Sequence, residues 1–409
     1  MNILLISRCP PLPLYLGDRL IVYHLARELA ARGHTLDLLA FDDRPDLSWR
    51  LADAPYFRRV HIMPAPERTV ASVVQRWLFP AARFPRTASA SASPGFWKAA
   101  RNWIADGDYD IAHLFGGVQV YEFRHAVEPL PALITPYESY TLYLKSESRW
   151  GIVGWGQRLF ARAYERFMFT PYARTTVVSE RDAEMLRSLQ PRLKVEVIPN
   201  GVDLSYFNPA AVRSAPIDPS SPSLVFVGNY EYPPNEDAAI RLARDIFPHV
   251  RSAFPRTKLL LVGNAPTARM RAAAGEGVFI TGRVDDVRAF LKDAWAFVCP
   301  LAYGAGIKNK ILEALAMGCP VIATPLSIDG IDVREGESVL TAPLDQIADA
   351  VIRLLGDADL RSRLSAEGRA LIERAYSWQR VVSKYEQLYE ALAAPKGADV
   401  IVPLGTRSR

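Results

Sequence analysis

The stretch FVCPLAYGAGIKNKILEALAMGCPVIAT, Phe297 to Thr324, decides the fold. It reads as a short apolar strand (Phe297 to Pro300), a glycine loop (Gly304, Gly306), a helix beginning near Ile307 and a second buried strand (Pro320 to Ala323). That is the repeating unit of a parallel sheet. Glycine at 304 and 306 permits a turn that side chains obstruct, just before helix amides with no intrahelical partner, so an anion has somewhere to bind. On this reading Lys308 and Lys310 fall in the first turn, where a cation opposes the helix dipole, and a di-anion is the natural neutraliser. Glu313, three residues after Lys310, faces the same pocket, and its carboxylate can accept hydrogen bonds from a pair of sugar hydroxyls. The same residues also fit a surface ion pair on an ordinary doubly wound domain, worth roughly 0.3 kcal/mol.

Working outward, 409 residues are comfortable for two domains that each bury a core. Hydrophobic residues at 49% and charged residues at 23% describe a globular chain, and the net charge of +5 is a mild excess whose distribution matters more than its sum. Cys9, Cys299 and Cys319 have no metal-ligand spacing and suggest no disulfide framework, which fits a reducing cytosol. MNILLIS is too short for a signal-peptide apolar region, and no apolar run approaches the roughly 18 residues of a spanning helix.

Asn2 to Ser7 reads as a buried first strand, Cys9 to Arg19 as its loop, Leu20 to Arg32 as a helix closed by Gly33, and Thr35 to Phe41 as the second strand. This order opens a Rossmann-like domain, with the Gly17 loop at the carboxyl end of the first strand, where open parallel sheets bind ligands. Trp77 to Trp103 is the most irregular part, mixing aromatic and basic residues around a Ser/Ala stretch from Thr87 to Ser93 that reads as a mobile loop. Gly151 to Tyr172 is an amphipathic helix with Arg158, Arg162 and Arg166 interleaved among aromatics. Both segments fit either an anionic membrane surface or ordinary packing with solvated arginines. The domain break is expected near Arg192, after the Gln190-Pro191 stop, giving domains 1–192 and 193–376, with a last segment 377–395. LVFVGN, Leu224 to Asn229, opens the second sheet, followed by strands Lys258 to Gly263 and Val278 to Gly282 that end in glycine. Asp285-Asp286 begins the next helix as a cap.

The run GAGIKNKILEALAMGCPVIAT resembles the donor-site signature of family-4 glycosyltransferases, two-domain enzymes of the GT-B fold. NILLIS, LARELAARGHTLDLL, DYDIAH, VVSERDAEML, VIPNGVD and LVFVGN match in the right order over nearly the whole chain. The resemblance implies an α/β architecture of two Rossmann-like domains around a cleft, with the final helix crossing back onto the first. It implies a retaining, metal-independent hexosyltransferase whose co-substrate is a nucleoside-diphosphate sugar and which needs no other cofactor. The donor would rest on Gly304, Ala305, Gly306, Ile307 and Glu313, with Gly228, the backbone of Gly282, Arg283 and Val284, and Gly17 around it. Lys308 and Lys310 would stabilise the leaving phosphate, and His113 at the end of DIAHLF would contact the transferred sugar or the acceptor, although a lone strand-end histidine is commonly a packed, hydrogen-bonded residue. Glu138 and Asp18 are the acceptor-side candidates.

Two positions depart from the family pattern. Many members carry glutamates eight apart at the donor helix, and here the first is Ala305. The basic pair expected after the first strand of the second domain is absent from GNYEYPPNED, leaving Lys308 and Lys310 as substitutes. The acceptor would be a hydroxyl of a glycan, glycolipid or polysaccharide precursor, either lipid-linked at the inner face of the cell membrane or a soluble small molecule; nucleic acid is not indicated. The alternatives are an epimerase of the same fold and a catalytically silent binding module. An NAD-dependent oxidoreductase needs a GxGxxG after the first strand, which CPPLPLYLGD does not supply.

Overall fold

A computed structural model describes residues 1–14, 19–44, 54–146, 152–213 and 220–394, so Gly17, Asp18 and the tail 395–409 lie outside the described residues. The first sheet contains β1 (Asn2–Ser7), β2 (Thr35–Asp42), β3 (Arg59–Pro64), β4 (Ile111–Phe115), β5 (Ala132–Thr135), β6 (Arg174–Val177) and β7 (Val195–Val197). Their spatial order is β3-β2-β1-β4-β5-β6-β7, with parallel pairing throughout. The second sheet contains β8 (Ser223–Val227), β9 (Lys258–Val262), β10 (Val278–Gly282), β11 (Ala296–Cys299), β12 (Val321–Ala323) and β13 (Leu340–Thr341). Its order is β10-β9-β8-β11-β12-β13, again parallel.

β1 shows why parallel strands read as unbroken apolar runs: helices cover both faces of the sheet. Ile3 and Leu5 join a core that continues into the second domain, while Leu4 and Ile6 join a separate core on the opposite face. In each sheet the strand order reverses once, between β1 and β4 and between β8 and β11. Ligands of such sheets bind outside the carboxyl ends of the strands at that reversal. The loop quoted first leaves β11, so it stands at the reversal of the second sheet.

The domain boundary falls later than the sequence suggests. Val195–Val197 pairs with β6 and belongs to the first sheet, so the crossing runs between β7 and β8 rather than at Arg192. A Gln-Pro helix stop marks the end of a helix; it carries no information about which sheet the next strand joins. The last helix, Trp378–Ala393, packs on the first domain against the helix Leu20–Ala31 and β4. Arg32 bonds Glu386 at 2.5 Å and His34 bonds the same carboxylate at 2.7 Å.

The VIPNGVD motif makes this return crossing. Val202 N–H donates to Tyr376 O (2.7 Å), and a Cβ on Gly201 would lie 2.7 Å from the Trp378 ring. Glycine is therefore needed at 201 for close approach. Asp203 accepts from Arg27 at 2.6 Å, and Asn200 Nδ2 donates to Asn309 Oδ1 at 2.7 Å. One tetrad of residues thus connects the linker, the last helix, the first domain and the start of the donor helix.

Candidate active site

The donor helix spans Asn309–Ala316, two residues shorter at its start than expected. Lys308 is its N-cap in an extended conformation, not a first-turn residue. Gly304 (φ +124°) and Gly306 (φ +67°) both occupy the left-handed region that side chains avoid. The turn they permit lets Lys308 Nζ fold back and donate to the carbonyls of Ala305 (2.8 Å) and Gly306. Its ammonium is buried inside the loop, and burial lowers its pKa despite the opposing charge of Glu138. Lys308 therefore holds the loop's shape and adds positive potential beneath it.

Lys310 bridges the two halves of the sheet reversal. Its Nζ donates to Asn235 Oδ1 at 2.6 Å, on the helix that follows β8, and lies 4.6 Å from the Phe226 ring centroid. Burial brings its pKa down to about 8, with Glu313 acting in the opposite direction. Glu313 is partly buried on the same helix, and among the described residues no group hydrogen-bonds its carboxylate. Burial raises its pKa to about 7, opposed by Lys310. A desolvated carboxylate without a donor is costly, and such groups are normally satisfied. Hydroxyls of a bound ligand would satisfy it.

Gly228 lies at the end of β8, and its N–H bonds Val262 O at 3.0 Å. A Cβ on Gly263 would fall 1.9 Å from Gly228 O, so the ends of β8 and β9 close together only because residue 263 is glycine. Gly282 (φ +72°) and the exposed Arg283 leave β10 at the far edge of the sheet, with Val284 partly buried beside them. Nearby, Arg288 stacks 3.7 Å from the Tyr206 ring centroid and pairs with Asp286 at 2.7 Å. Asp286 is thus an ion-pair partner as well as a residue at a helix start.

From the first domain, Glu138 reaches the same loop. Its Oε2 lies 3.5 Å from where a Cβ on Gly306 would sit. Tyr137 before it has φ +71°, a conformation costing about 1–3 kcal/mol outside glycine. Arg8, at the end of β1, covers the Tyr137 ring at 5.1 Å. Burial raises the Glu138 pKa to about 7, with Lys308 opposing and Asp182 adding to the shift. Asp182 itself accepts from Ser139 N (2.8 Å) and hydrogen-bonds Ser179 Oγ (2.5 Å), fixing the segment that carries Glu138.

His113 is elsewhere. It is fully buried, with Nδ1 2.5 Å from Tyr389 Oη and Nε2 2.7 Å from Thr135 Oγ1. Both ring nitrogens are satisfied under the last helix, so the ring does not face the cleft and the expected contact with sugar or acceptor is corrected to a packing role. The structure thus brings Gly304, Ala305, Gly306, Lys308, Lys310, Glu313, Gly228 and Glu138 together around the loop after β11, buries Ile307 in the core beside it, and separates His113 from them. Asn235, Arg8 and Tyr137 also line this region. Asn235 sits within GNYEYPPNED, where an asparagine gives no composition signal, and a left-handed tyrosine leaves no trace in sequence. Among the described residues no trio of His, Cys, Asp or Glu converges to hold a metal ion.

Comparison with known proteins agrees with this geometry. Residues 20–206 match Glycosyltransferase Family 4 and residues 221–357 match Glycosyl transferases group 1. The chain belongs to the family-4-like glycosyltransferases of the GT-B fold. The boundary between the two matches coincides with the crossing from β7 to β8. This glycosyltransferase is 27% identical over 314 residues to a phosphatidyl-myo-inositol mannosyltransferase of Mycobacterium leprae, covering 74% of this chain and 78% of the relative. It is 24% identical to the MMP alpha-(1->4)-mannosyltransferase of Mycolicibacterium hassiacum, covering 92% of this chain and 95% of the relative. A sucrose-phosphate synthase from Thermosynechococcus elongatus superimposes with a TM-score of 0.70 at 18% identity, covering 96% of this chain and 99% of that one, a likeness of fold.

Proposed function

We propose that this glycosyltransferase moves a hexose, with retention, from a nucleoside-diphosphate sugar to a hydroxyl of a lipid-borne acceptor. The observation that carries the reading is the Lys310–Glu313 pair at the sheet reversal: a largely buried cation beside a carboxylate that lacks a donor among the described residues. A diphosphate answers the first and a ribose diol the second. Cleavage of the bond between the sugar and the diphosphate leaves negative charge on the distal phosphate. Lys310, the loop amides and the positive potential from Lys308 are positioned to stabilise that charge as it grows. The acceptor hydroxyl would approach the same face of the sugar, and its proton would pass to the leaving phosphate. Fixed ammonium groups supply here what a divalent ion supplies in other transferases, so the reaction is proposed to be metal-independent and to need no cofactor beyond the donor.

Two observations support a lipid acceptor at the inner face of the cell membrane. The Mycobacterium leprae relative takes its name from a phosphatidylinositol acceptor. On the helix Val70–Leu78, the exposed residues Val70, Val74, Trp77 and Leu78 share one face, followed by exposed Phe79. Trp155 and Leu159 form a second exposed stripe on the helix Ile152–Met168, beside Arg158, Arg162 and Arg166. Tyr164 bonds Val73 O, so the two helices adjoin. An apolar stripe flanked by arginines suits an anionic interface. Other members of the irregular segment, Phe84 and Phe96, pack inward instead. Among the described residues no helix is long and apolar enough to cross a membrane.

A screen of nucleotide sugars by thermal stabilisation tests the donor half, because a ligand at 100 times its dissociation constant adds about 2.7 kcal/mol. Transfer to a lipid acceptor then completes the reading. Donor turnover to epimer or free nucleotide with no acceptor present would favour the epimerase. Stabilisation without any turnover would favour a silent binding module, which the alanine at 305 makes a concrete rival.

A further inference from the structure

The acceptor domain holds a second cavity that the donor chemistry does not use. It is an open recess of about 440 Å³ between the helices Tyr140–Ser146 and Glu180–Leu189, lined by Leu142, Lys145, Arg181, Glu184, Met185 and Ser188. Its walls are mixed, with Leu142 and Met185 apolar, the exposed cations Lys145 and Arg181, and one exposed carboxylate, Glu184, so the lining carries a net single positive charge. Among the described residues Lys145 has no carboxylate within ion-pair distance, and its Nζ lies 3.9 Å from Met185 Sδ. Arg181 is held only loosely, 3.6 Å from Asp329 of the second domain. A carboxylate this far from the guanidinium is readily exchanged for a stronger acceptor, and paired cations in a partly apolar recess suit a phosphate diester.

Position narrows the ligand further. The helix carrying Lys145 starts two residues after Glu138, the acceptor-side group that touches the donor loop. At 1.5 Å per residue, Lys145 stands about 7.5 Å along the helix from its first residue, Tyr140. The same helix packs against Ile152–Met168, whose exposed Trp155 and Leu159 form an apolar surface. Along the chain the order is therefore carboxylate, Lys145, apolar face, with Arg181 supplied by the helix Glu180–Leu189. A lipid with a polyol head, a phosphodiester and acyl chains has its parts in that order.

We propose that the Lys145–Arg181 cavity binds the phosphodiester of the lipid acceptor and so sets the distance between its hydroxyl and the transferred sugar. This rests on the lipid-acceptor reading above, and the experiment separates the two because it measures binding without transfer. The full chain is titrated with glycerophosphoinositol, the water-soluble head of phosphatidylinositol, with inorganic phosphate, and with a nucleoside diphosphate as the control for the donor site. The wild type should bind glycerophosphoinositol saturably and more tightly than inorganic phosphate. Lys145→Glu should weaken that binding at least tenfold with nucleoside-diphosphate affinity unchanged, and Lys145→Arg should restore it. Arg162→Glu makes the same charge change on the exposed stripe of Ile152–Met168 and should leave head-group binding intact. Equal head-group affinity in wild type and Lys145→Glu would overturn the site, and so would equal losses in Lys145→Glu and Arg162→Glu, which would mean diffuse surface charge. Inorganic phosphate binding as tightly as the head group would overturn the lipid as its source. Head-group binding that behaves as expected in a protein that transfers no sugar would leave this site standing and remove the transferase reading alone.

Discussion

His113 and Glu313 both lie beside a sheet reversal, one in each domain, and both can titrate, yet the protein treats them oppositely. His113 is sealed under the last helix with a partner on each ring nitrogen. Burial holds its pKa well below the ordinary histidine value, so it stays neutral. Glu313 is left at the cleft with its charge desolvated and no hydrogen-bond donor among the described residues. A polar group whose hydrogen bonds close within the protein is part of the architecture, whereas one left open at a strand-end crevice is available to a ligand.

The comparison breaks most visibly at His113. His113→Ala removes two buried hydrogen bonds and strands the hydroxyl of Tyr389, while Thr135 keeps its bond to Thr176, so unfolding measured in denaturant should show a loss of about 3 kcal/mol. At a temperature where the variant is folded, its turnover should remain close to wild type. A large fall in kcat with unchanged stability would reverse the assignment and return the histidine to the active site.

Glu313→Ala should do the opposite. Losing charge-assisted hydrogen bonds to a ribose should weaken donor binding by about 2 kcal/mol, roughly 30-fold, while the ligand-free protein keeps or gains stability. Calorimetric titration and thermal melts read the two effects separately.

The third prediction concerns pH. The Glu313 carboxyl moves from 4.5 in the unfolded chain to about 7 in the folded one, so between those values the native state holds a proton that the unfolded state has released. Stability should fall as pH rises through that window. Glu138, shifted in the same direction by the same cause, adds to the slope. Glu313→Gln should flatten the curve in part, and a curve identical to wild type would show that the carboxylate is not desolvated. Donor affinity should decline above pH 8 as Lys310, lowered to about that value, loses its proton.

The smallest effect belongs to the clasp of the last helix. Arg32→Ala breaks a partly exposed contact to Glu386 and should cost less than about 1 kcal/mol by denaturant unfolding. A larger loss would mean that the surface clasp, rather than buried His113 and Trp378, holds the helix in place.

The parallel sheets and the donor loop were legible in sequence because apolar runs, glycines and helix starts follow local rules that a single segment obeys. NILLIS and FVCP read directly as buried strands, and Gly304 and Gly306 sit at the positive-φ turn their spacing suggests. What was not legible depends on distant partners. Nothing in DIAHLF reveals that Tyr389, 276 residues later, covers the histidine. Nor does KVEVIPN state which sheet it joins, because a parallel strand finds its neighbour through tertiary packing. The left-handed conformation of Tyr137 and the inward fold of Lys308 are likewise set by the surrounding cleft, against local preference.

Whether a diphosphate docks at Lys310 is most directly tested by titrating wild type and Lys310→Ala with a nucleoside and with its diphosphate. Docking there predicts that the variant binds the diphosphate at least tenfold more weakly and the bare nucleoside as well as wild type does. Equal diphosphate affinity in the two proteins would contradict it and leave the buried lysine a structural cation.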